Sequence, residues 1–158
     1  MLIRQIERKD VDPLRKILQA TEVFREEEVE TAVELMEATL GETDDYIQKT
    51  AVDEADVVQG YYCVGPTPMT KSTFDLYWIA VNPEHQGKGI GRQLLLDCEQ
   101  TVGAMNGSLI VVETSSLPKY EGTRIFYTRN NYLETARIRN YYAPGDDLMI
   151  YTKHLQEH

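Results

Sequence analysis

The sequence predicts an α/β fold built on one mixed sheet. Segments with helical spacing alternate with segments rich in β-branched and aromatic residues, and polar turns join neighbouring strands into hairpins. One strand–helix–strand unit near the middle should be parallel and right-handed. The 158 residues have the length of about one domain, so we expect a single domain over residues 1–158.

The N-terminal part predicts one strand followed by a pair of helices. Residues 2–7 alternate as a strand does, and Asp10 is a suitable N-cap for a first helix. That helix should bury Val11, Leu14, Ile17 and Leu18. A second helix is expected over residues 26–40, because apolar residues share one broad side and Gly41 follows as a stop.

Three strands should follow the helix pair. Residues 46–52 and 57–64 predict an antiparallel hairpin around a polar turn. Residues 74–81 are dominated by aromatic and β-branched side chains, which favour a third strand. Pro83 lacks an N–H group and cannot extend it.

The C-terminal half predicts two helices and three further strands. A helix over residues 89–103 and a strand over residues 108–114 complete the parallel unit. A short helix is expected over residues 120–130, followed by strands over residues 133–141 and 148–155 that pair across a turn at residues 143–147. The predicted order is β-α-α-β-β-β-α-β-α-β-β.

Composition and charge exclude several classes of function. The formal net charge is −10 and no basic stripe is present, which argues against nucleic-acid binding. We find no signal peptide or membrane-spanning segment, so we expect a cytoplasmic protein without a membrane partner.

Cysteine and histidine positions predict neither a disulfide nor a metal site. Cys63 and Cys98 lie far apart on a predicted strand and a predicted helix, as reduced core residues would. His85, His154 and His158 do not cluster with thiols or carboxylates in a ligand pattern. We therefore expect no metal.

A glycine-rich turn between the third strand and its helix predicts an anion site. Gly87, Gly89 and Gly91 let the chain turn tightly while backbone N–H groups point at a ligand. Lys88 and Arg92 add positive charge beside the helix N-terminus. A dinucleotide fingerprint would need glycine at position 92, and a P-loop would need Gly-Lys-Ser/Thr. A flexible surface turn is the alternative.

The pattern Gln86-x-x-Gly89-x-Gly91, which follows a strand and opens a helix, resembles the acyl-coenzyme A loop of the GNAT superfamily of N-acyltransferases. Residues 109–113 are similar to the next strand of that family. Phe126-Tyr127 with Asn131-Tyr132 is similar to its Phe-Tyr-x-x-x-Gly-Phe segment. The resemblance covers the C-terminal half, and the N-terminal half matches only in the order of its elements.

The resemblance implies a central pair of parallel strands that splay apart and hold acetyl-CoA. Its pantetheine arm would pair with the backbone of the first of these strands, at Ile79, Ala80 and Val81. The residues implied around the diphosphate are Gln86, Gly87, Lys88, Gly89, Ile90, Gly91 and Arg92.

The resemblance also implies catalytic roles. Tyr127 occupies the position of the proton donor to the departing thiolate, although a core aromatic is the alternative. Glu113 is the first candidate for the base that removes the proton of the amine, with Asp75 and Glu84 next. For each of these carboxylates, a solvated surface group is the alternative.

Three positions depart from the family pattern. Many members carry Asn and Ala where this chain has Tyr120 and Thr123, and glycine where it has Asn131. Asn131 can still adopt positive φ. Tyr120 cannot copy the paired donor and acceptor of asparagine. Arg124 or Arg129 is considered as a substitute contact to a coenzyme phosphate, with a solvated helix arginine as the favoured alternative.

The expected activity is transfer of an acetyl group from acetyl-CoA to a primary amine of a small molecule or a protein. The alternatives are a non-catalytic acyl-CoA sensor or regulatory module, and a structural partner protein with a vacant loop. The identity of the amine is not encoded in a motif, although residues 140–144 either line its cleft or cover the core. Exposed edge strands could pair two copies into a homodimer.

Overall fold

A computed structural model describes residues 1–155 and contains a seven-stranded sheet with helices on both faces. The strands are β1 Leu2–Gln5, β2 Ile47–Val52, β3 Val58–Pro66, β4 Thr73–Val81, β5 Leu109–Ser115, β6 Leu133–Ala143 and β7 Asp146–His154. The helices are α1 Val11–Ala20, α2 Glu26–Leu40, α3 Ile90–Ala104 and α4 Glu121–Arg129. The predicted order of elements is confirmed, with ends that differ by at most a few residues.

The sheet is mixed, as expected. Its strand order is β1-β2-β3-β4-β5-β7-β6. Only β4 and β5 run parallel, and every other neighbouring pair among the described strands is antiparallel. The final hairpin folds back so that β7 lies beside β5, which leaves β6 at the edge of the sheet.

The parallel pair splays apart toward its C-terminal end. Thr73–Asp75 of β4 pair with Leu109–Val111 of β5, and no further pairs join these strands within the described residues. Beyond that point β4 pairs only with β3, and β5 only with β7. A gap therefore opens in the middle of the sheet, and its walls are the unpaired edges of β4 and β5.

Both faces of the sheet are buried at β3, which explains its continuous apolar sequence. Tyr61 and Cys63 face the core beneath α1 and α2, whereas Tyr62 and Val64 face the core beneath α3 and α4. Cys63 and Cys98 are both buried free thiols, and burial raises the pKa of each. Their location in the core is confirmed.

Asp10 is the N-cap residue of α1, as predicted, but its carboxylate makes no capping hydrogen bond to the helix. It accepts two hydrogen bonds from the Arg4 guanidinium, at 2.7 and 2.9 Å, and one from the Glu7 N–H group at 2.8 Å. Asp10 thus closes the 3-10 turn that precedes α1 and ties it to β1, a long-range contact that local spacing does not reveal.

The last turn is tighter than predicted. Ala143 pairs with Asp146, so the connection between β6 and β7 is the two residues Pro144 and Gly145, and Gly145 adopts φ +83°. Proline followed by glycine at positive φ is the pattern of a type II turn. Within the range 1–155, every helix is too short or too polar to cross a membrane.

Candidate functional site

The chain between β4 and α3 forms the glycine-rich turn that the sequence predicts. A short 3-10 turn over Pro83–His85 follows β4, and the Asn82 side chain accepts a hydrogen bond from the Glu84 N–H group. Gly87 and Gly89 then adopt φ +82° and +80°, a backbone region that residues with a Cβ atom rarely occupy. Gly89 is the N-cap of α3. Glycine at these two positions is therefore explained by backbone conformation.

Several backbone N–H groups of this turn are free to bind an anion. The amides of residues 87–89 have no backbone acceptor within the described part of the chain. The amides of Ile90, Gly91 and Arg92 belong to the first turn of α3, where an α-helix provides no acceptor. The helix N-terminus adds its partial positive charge to theirs.

Gly91 has a packing role that the sequence pattern does not predict. It lies inside the first turn of α3, and a Cβ atom built on it would come within 3.2 Å of the Phe126 ring. Glycine at this position therefore allows α3 and α4 to pack closely. No such contact surrounds Gly87 or Gly89.

A cavity of about 1010 Å³, here called the loop cavity, opens beside this turn. Its wall includes Ile79 and Val81 of β4, residues of the turn and of α3, and the face of α4 that carries Phe126 and Tyr127. Its basic side chains are His85, Arg92, Lys119, Arg129 and Lys153. Lys88 does not line the cavity, and its Nζ lies 3.5 Å from Nδ1 of His85.

One acidic residue of the loop cavity is already neutralised. Glu99 of α3 pairs with Lys153 at 3.1 Å and accepts a hydrogen bond from the Tyr132 hydroxyl at 2.9 Å. The remaining cations are therefore not offset by this carboxylate. The turn and the cavity together form a site suited to an elongated anion.

A second, smaller cavity of about 380 Å³ lies in the gap between β4 and β5. We call it the aromatic cavity, because five aromatic side chains line it in addition to Tyr127. These are Phe24, Tyr77, Trp78, Tyr120 and Tyr142. Its carboxylates are Glu28, Glu113 and Asp146. Ala80 lines this cavity and not the loop cavity.

Tyr127 lies on the wall that separates the two cavities. The residues common to both linings are Thr21, Val23, Ile79, Val81, Gln86, Lys119, Thr123 and Tyr127. The Tyr127 side chain is 3% exposed and its ring makes edge contacts with Phe126 and Tyr132. Burial raises the pKa of its hydroxyl, with a smaller contribution from Cys98, so this hydroxyl stays protonated at neutral pH.

The three candidate carboxylates lie in different places. Glu113 lines the aromatic cavity and is exposed. Asp75 lies in the part of β4 that still pairs with β5, outside both cavities. Glu84 lines a separate surface depression near α1. Only Glu113 is brought to the same cleft as Tyr127.

Two residues considered for coenzyme contact make internal hydrogen bonds. The Tyr120 hydroxyl donates to the carbonyl of Val23 at 3.3 Å, which ties α4 to the segment between α1 and α2. Arg124 donates to the carbonyls of Ser115 and Leu117 at 2.7 and 2.9 Å. Arg129 lines the loop cavity, and Asn131 adopts φ +70° as expected.

Sequence reasoning missed most of the aromatic cavity and part of the loop cavity. Leu96 and Glu99 follow Arg92 by four and seven positions on one face of α3, so helical spacing could have found them. Phe24, Arg25 and Glu28 come from the N-terminal half, and no local pattern connects them to β5. Among the described residues, no group of acidic, histidine or cysteine side chains is arranged to hold a metal ion. His158 lies outside the described range.

Comparisons with known proteins agree with this geometry. Residues 46–134 match the model of the acetyltransferase (GNAT) domain. A crystal structure from Desulfovibrio desulfuricans, described as an acetyltransferase of the GNAT family, is 37% identical with a TM-score of 0.91, covering 97% of this chain and 98% of that one. No curated protein matches the sequence.

Two more distant structures share the fold and contain coenzyme. An aminoglycoside 6'-N-acetyltransferase complexed with coenzyme A is 20% identical with a TM-score of 0.80, covering 100% of this chain and 99% of that one. The protein yncA from Salmonella typhimurium, with its cofactor acetyl-CoA, is 22% identical with a TM-score of 0.77, covering 100% of this chain and 95% of that one.

Proposed function

The chain belongs to the GNAT family of acetyltransferases, and on this premise we propose that it transfers the acetyl group of acetyl-CoA to a primary amine of a small molecule or a protein. The observation that carries the proposal is the position of Tyr127, a residue that lines both the loop cavity and the aromatic cavity. A proton donor at this boundary can serve a reaction between two substrates that enter from opposite sides.

The loop cavity fits a coenzyme A diphosphate. The free amides at residues 87–92 supply hydrogen bonds, and Arg92 supplies a positive charge that phosphate oxygens can share. Bulkier residues at Gly87 and Gly89 would strain the backbone that presents these amides. The family likeness extends the assignment to Gln86, Lys88, Ile90 and Gly91.

The unpaired part of β4 suits the pantetheine arm. Because β5 separates from β4 beyond Asp75, the backbone edge at Ile79, Ala80 and Val81 can pair with the amides of an extended ligand. Ile79 and Val81 line both cavities, so an arm bound there would lead from the diphosphate site toward Tyr127.

The chemistry assigned to the chain is proton transfer. Acetyl-CoA, when bound, supplies a thioester whose carbonyl carbon the amine nitrogen attacks, with a new C–N bond replacing the C–S bond. The amine must lose a proton, and the proposal assigns its acceptance to Glu113, which lines the aromatic cavity. Tyr127 donates its hydroxyl proton to the sulfur that leaves.

The environment of Tyr127 supports this role. Burial raises the pKa of its hydroxyl, so the proton remains available throughout the neutral range. A thiolate formed in the same apolar surroundings is also poorly solvated, which raises the pKa of the corresponding thiol above its reference of about 8.5. Both effects have the same origin, so proton transfer from tyrosine to sulfur need not be strongly uphill.

The test is the variant Tyr127→Phe, which removes one hydroxyl and keeps the ring. With a productive amine, we expect kcat to fall about 10²- to 10⁴-fold, while the Kd for acetyl-CoA measured by calorimetry stays unchanged. Tyr141→Phe is the matched control, because Tyr141 is exposed on β6 and lines neither cavity.

Unchanged turnover in Tyr127→Phe would remove this tyrosine from the mechanism. If the wild-type chain bound acetyl-CoA but released no thiol with any amine, the sensor or regulatory alternative would replace the enzyme proposal. If acetyl-CoA produced neither heat nor a thermal shift, the vacant-loop alternative would replace both.

A further inference from the structure

The aromatic cavity is lined mainly by ring faces and edges. The centre of the Trp78 ring lies 6.4 Å from that of Phe24 and 6.1 Å from that of Tyr77, both in edge-to-face geometry. Tyr120 closes the side near α4, and Tyr142 of β6, which is 47% exposed, stands at the mouth. Such a wall favours a flat apolar group, because rings bury a large area and contact other rings in defined geometries.

Three carboxylates line this cavity, and they differ in whether a neighbouring cation neutralises their charge. Glu28 pairs with Arg25 at 3.2 Å, so it contributes little net charge. Asp146 accepts a hydrogen bond from the Ser115 hydroxyl and makes no ion pair within residues 1–155. Glu113 is exposed and likewise forms no ion pair in that range. Two negative charges therefore remain, both on the side of the cavity formed by β5 and the final hairpin.

The basic residues disfavour a ligand with many positive charges. Lys119 lies at the boundary with its Nζ 5.4 Å from the centre of the Tyr120 ring, whereas Arg25, which also lines the cavity, is paired with Glu28. A polyamine would place further ammonium groups near Lys119 or against the apolar rings. A ligand with one ammonium group avoids both costs, since a single cation can sit between the carboxylates and a ring face.

From this arrangement we infer that the acceptor is a small arylalkylamine: one primary ammonium group joined by a short chain to one aromatic ring. The inference rests on the proposed function and specifies its substrate class. The ring lies against Trp78 and Tyr142, and the nitrogen lies toward Glu113 and Tyr127. A volume of about 380 Å³ is near the lower end of the range for small-molecule sites, about 300–1,000 Å³, which agrees with a ligand of this size.

The first experiment compares acceptors on the wild-type chain. We would measure kcat/KM from thiol release with 2-phenylethylamine, n-butylamine, spermidine and one aminoglycoside at saturating acetyl-CoA. We expect 2-phenylethylamine to exceed each of the other amines by about tenfold or more, as desolvated aromatic contacts allow. An equal or higher value for spermidine, the aminoglycoside or n-butylamine would overturn the inference.

The second experiment removes one ring at the mouth of the cavity. Tyr142→Ala should raise KM for 2-phenylethylamine about three- to tenfold, with little change in kcat or in the Kd for acetyl-CoA. Tyr141→Ala is the control, because the neighbouring Tyr141 ring is equally exposed yet does not line the cavity. Equal KM values for the two variants would contradict the proposed location of the ring.

These experiments separate the two levels of the argument. Thiol release with spermidine or the aminoglycoside as the best acceptor would leave acetyl transfer standing and exclude the arylalkylamine. Tight binding of acetyl-CoA with no thiol release for any of the four amines would overturn this inference. The acetyltransferase proposal would be rejected as well only if peptide and protein amines also released no thiol.

Discussion

The loop cavity and the aromatic cavity adjoin at Tyr127, yet they are built in opposite ways. The first carries its anion-binding amides on one continuous stretch, residues 87–92 at the start of α3, and α4 supplies much of its remaining wall. The second is assembled by side chains from the segment before α2, from β4, from β5 and from the final hairpin. The row of amides is a property of local chain conformation, whereas the aromatic cavity exists only in the folded sheet.

This difference suggests how the two substrates are recognised. Backbone amides depend on glycine and on helix geometry, so the sequence pattern that supplies them is easy to detect. An aromatic cavity depends on which side chains happen to meet, so it can change with single substitutions while the fold persists. We therefore expect substitutions on the two sides to have separable effects on acetyl-CoA binding and on acceptor turnover.

The largest effect in this comparison is expected at Glu113. Glu113→Gln should lower kcat/KM for the amine about 10²-fold at pH 7, because the base is lost, while the Kd for acetyl-CoA stays the same. The loss of kcat/KM relative to the wild type should be smaller at higher pH, where more of the amine is already neutral. A loss of kcat/KM that stays constant with pH would indicate that Glu113 does not act as the base.

Glu84→Gln is the matched control for that prediction. Glu84 is an exposed carboxylate on a different surface, beside α1. Its loss should therefore leave kcat/KM for the amine and the Kd for acetyl-CoA unchanged. A comparable loss of turnover in Glu84→Gln would show that general surface charge, and not the position of Glu113, governs the rate.

A smaller effect is expected on the other side, at Gly89. Gly89→Ala forces alanine into φ +80°, which costs about 1–3 kcal/mol or relaxes the turn, so the Kd for acetyl-CoA should rise about tenfold. Gly103→Ala is the control, because Gly103 lies inside α3 and a Cβ atom there meets nothing within 4 Å. It should raise the melting temperature and leave the Kd unchanged. Equal Kd values for both variants would exclude the turn as the coenzyme site.

Most of the fold could be predicted from the sequence because its signals are local. The α2 helix has the predicted ends at residues 26 and 40, since its first turn is acidic and Gly41 follows its last residue. The parallel pairing of β4 with β5 follows from the helix that connects them. The contacts of Asp10 could not be predicted, because its partner Arg4 is brought near only when β1 joins the sheet.

The same reasoning applies to the candidate site. Gly87 and Gly89 could be recognised because positive φ restricts the residue type. The packing role of Gly91 could not, since it depends on Phe126 of another helix. The walls of the aromatic cavity, such as Phe24 and Trp78, are ordinary apolar residues in sequence. Their edge-to-face contact arises only from tertiary packing.

A crystal structure of the chain with coenzyme A would test the central claim most directly. The account predicts the diphosphate on the backbone amides of residues 87–92, and the coenzyme sulfur within hydrogen-bonding distance of the Tyr127 hydroxyl. Coenzyme bound elsewhere on the surface, or a sulfur remote from Tyr127 while the diphosphate occupies the turn, would contradict it.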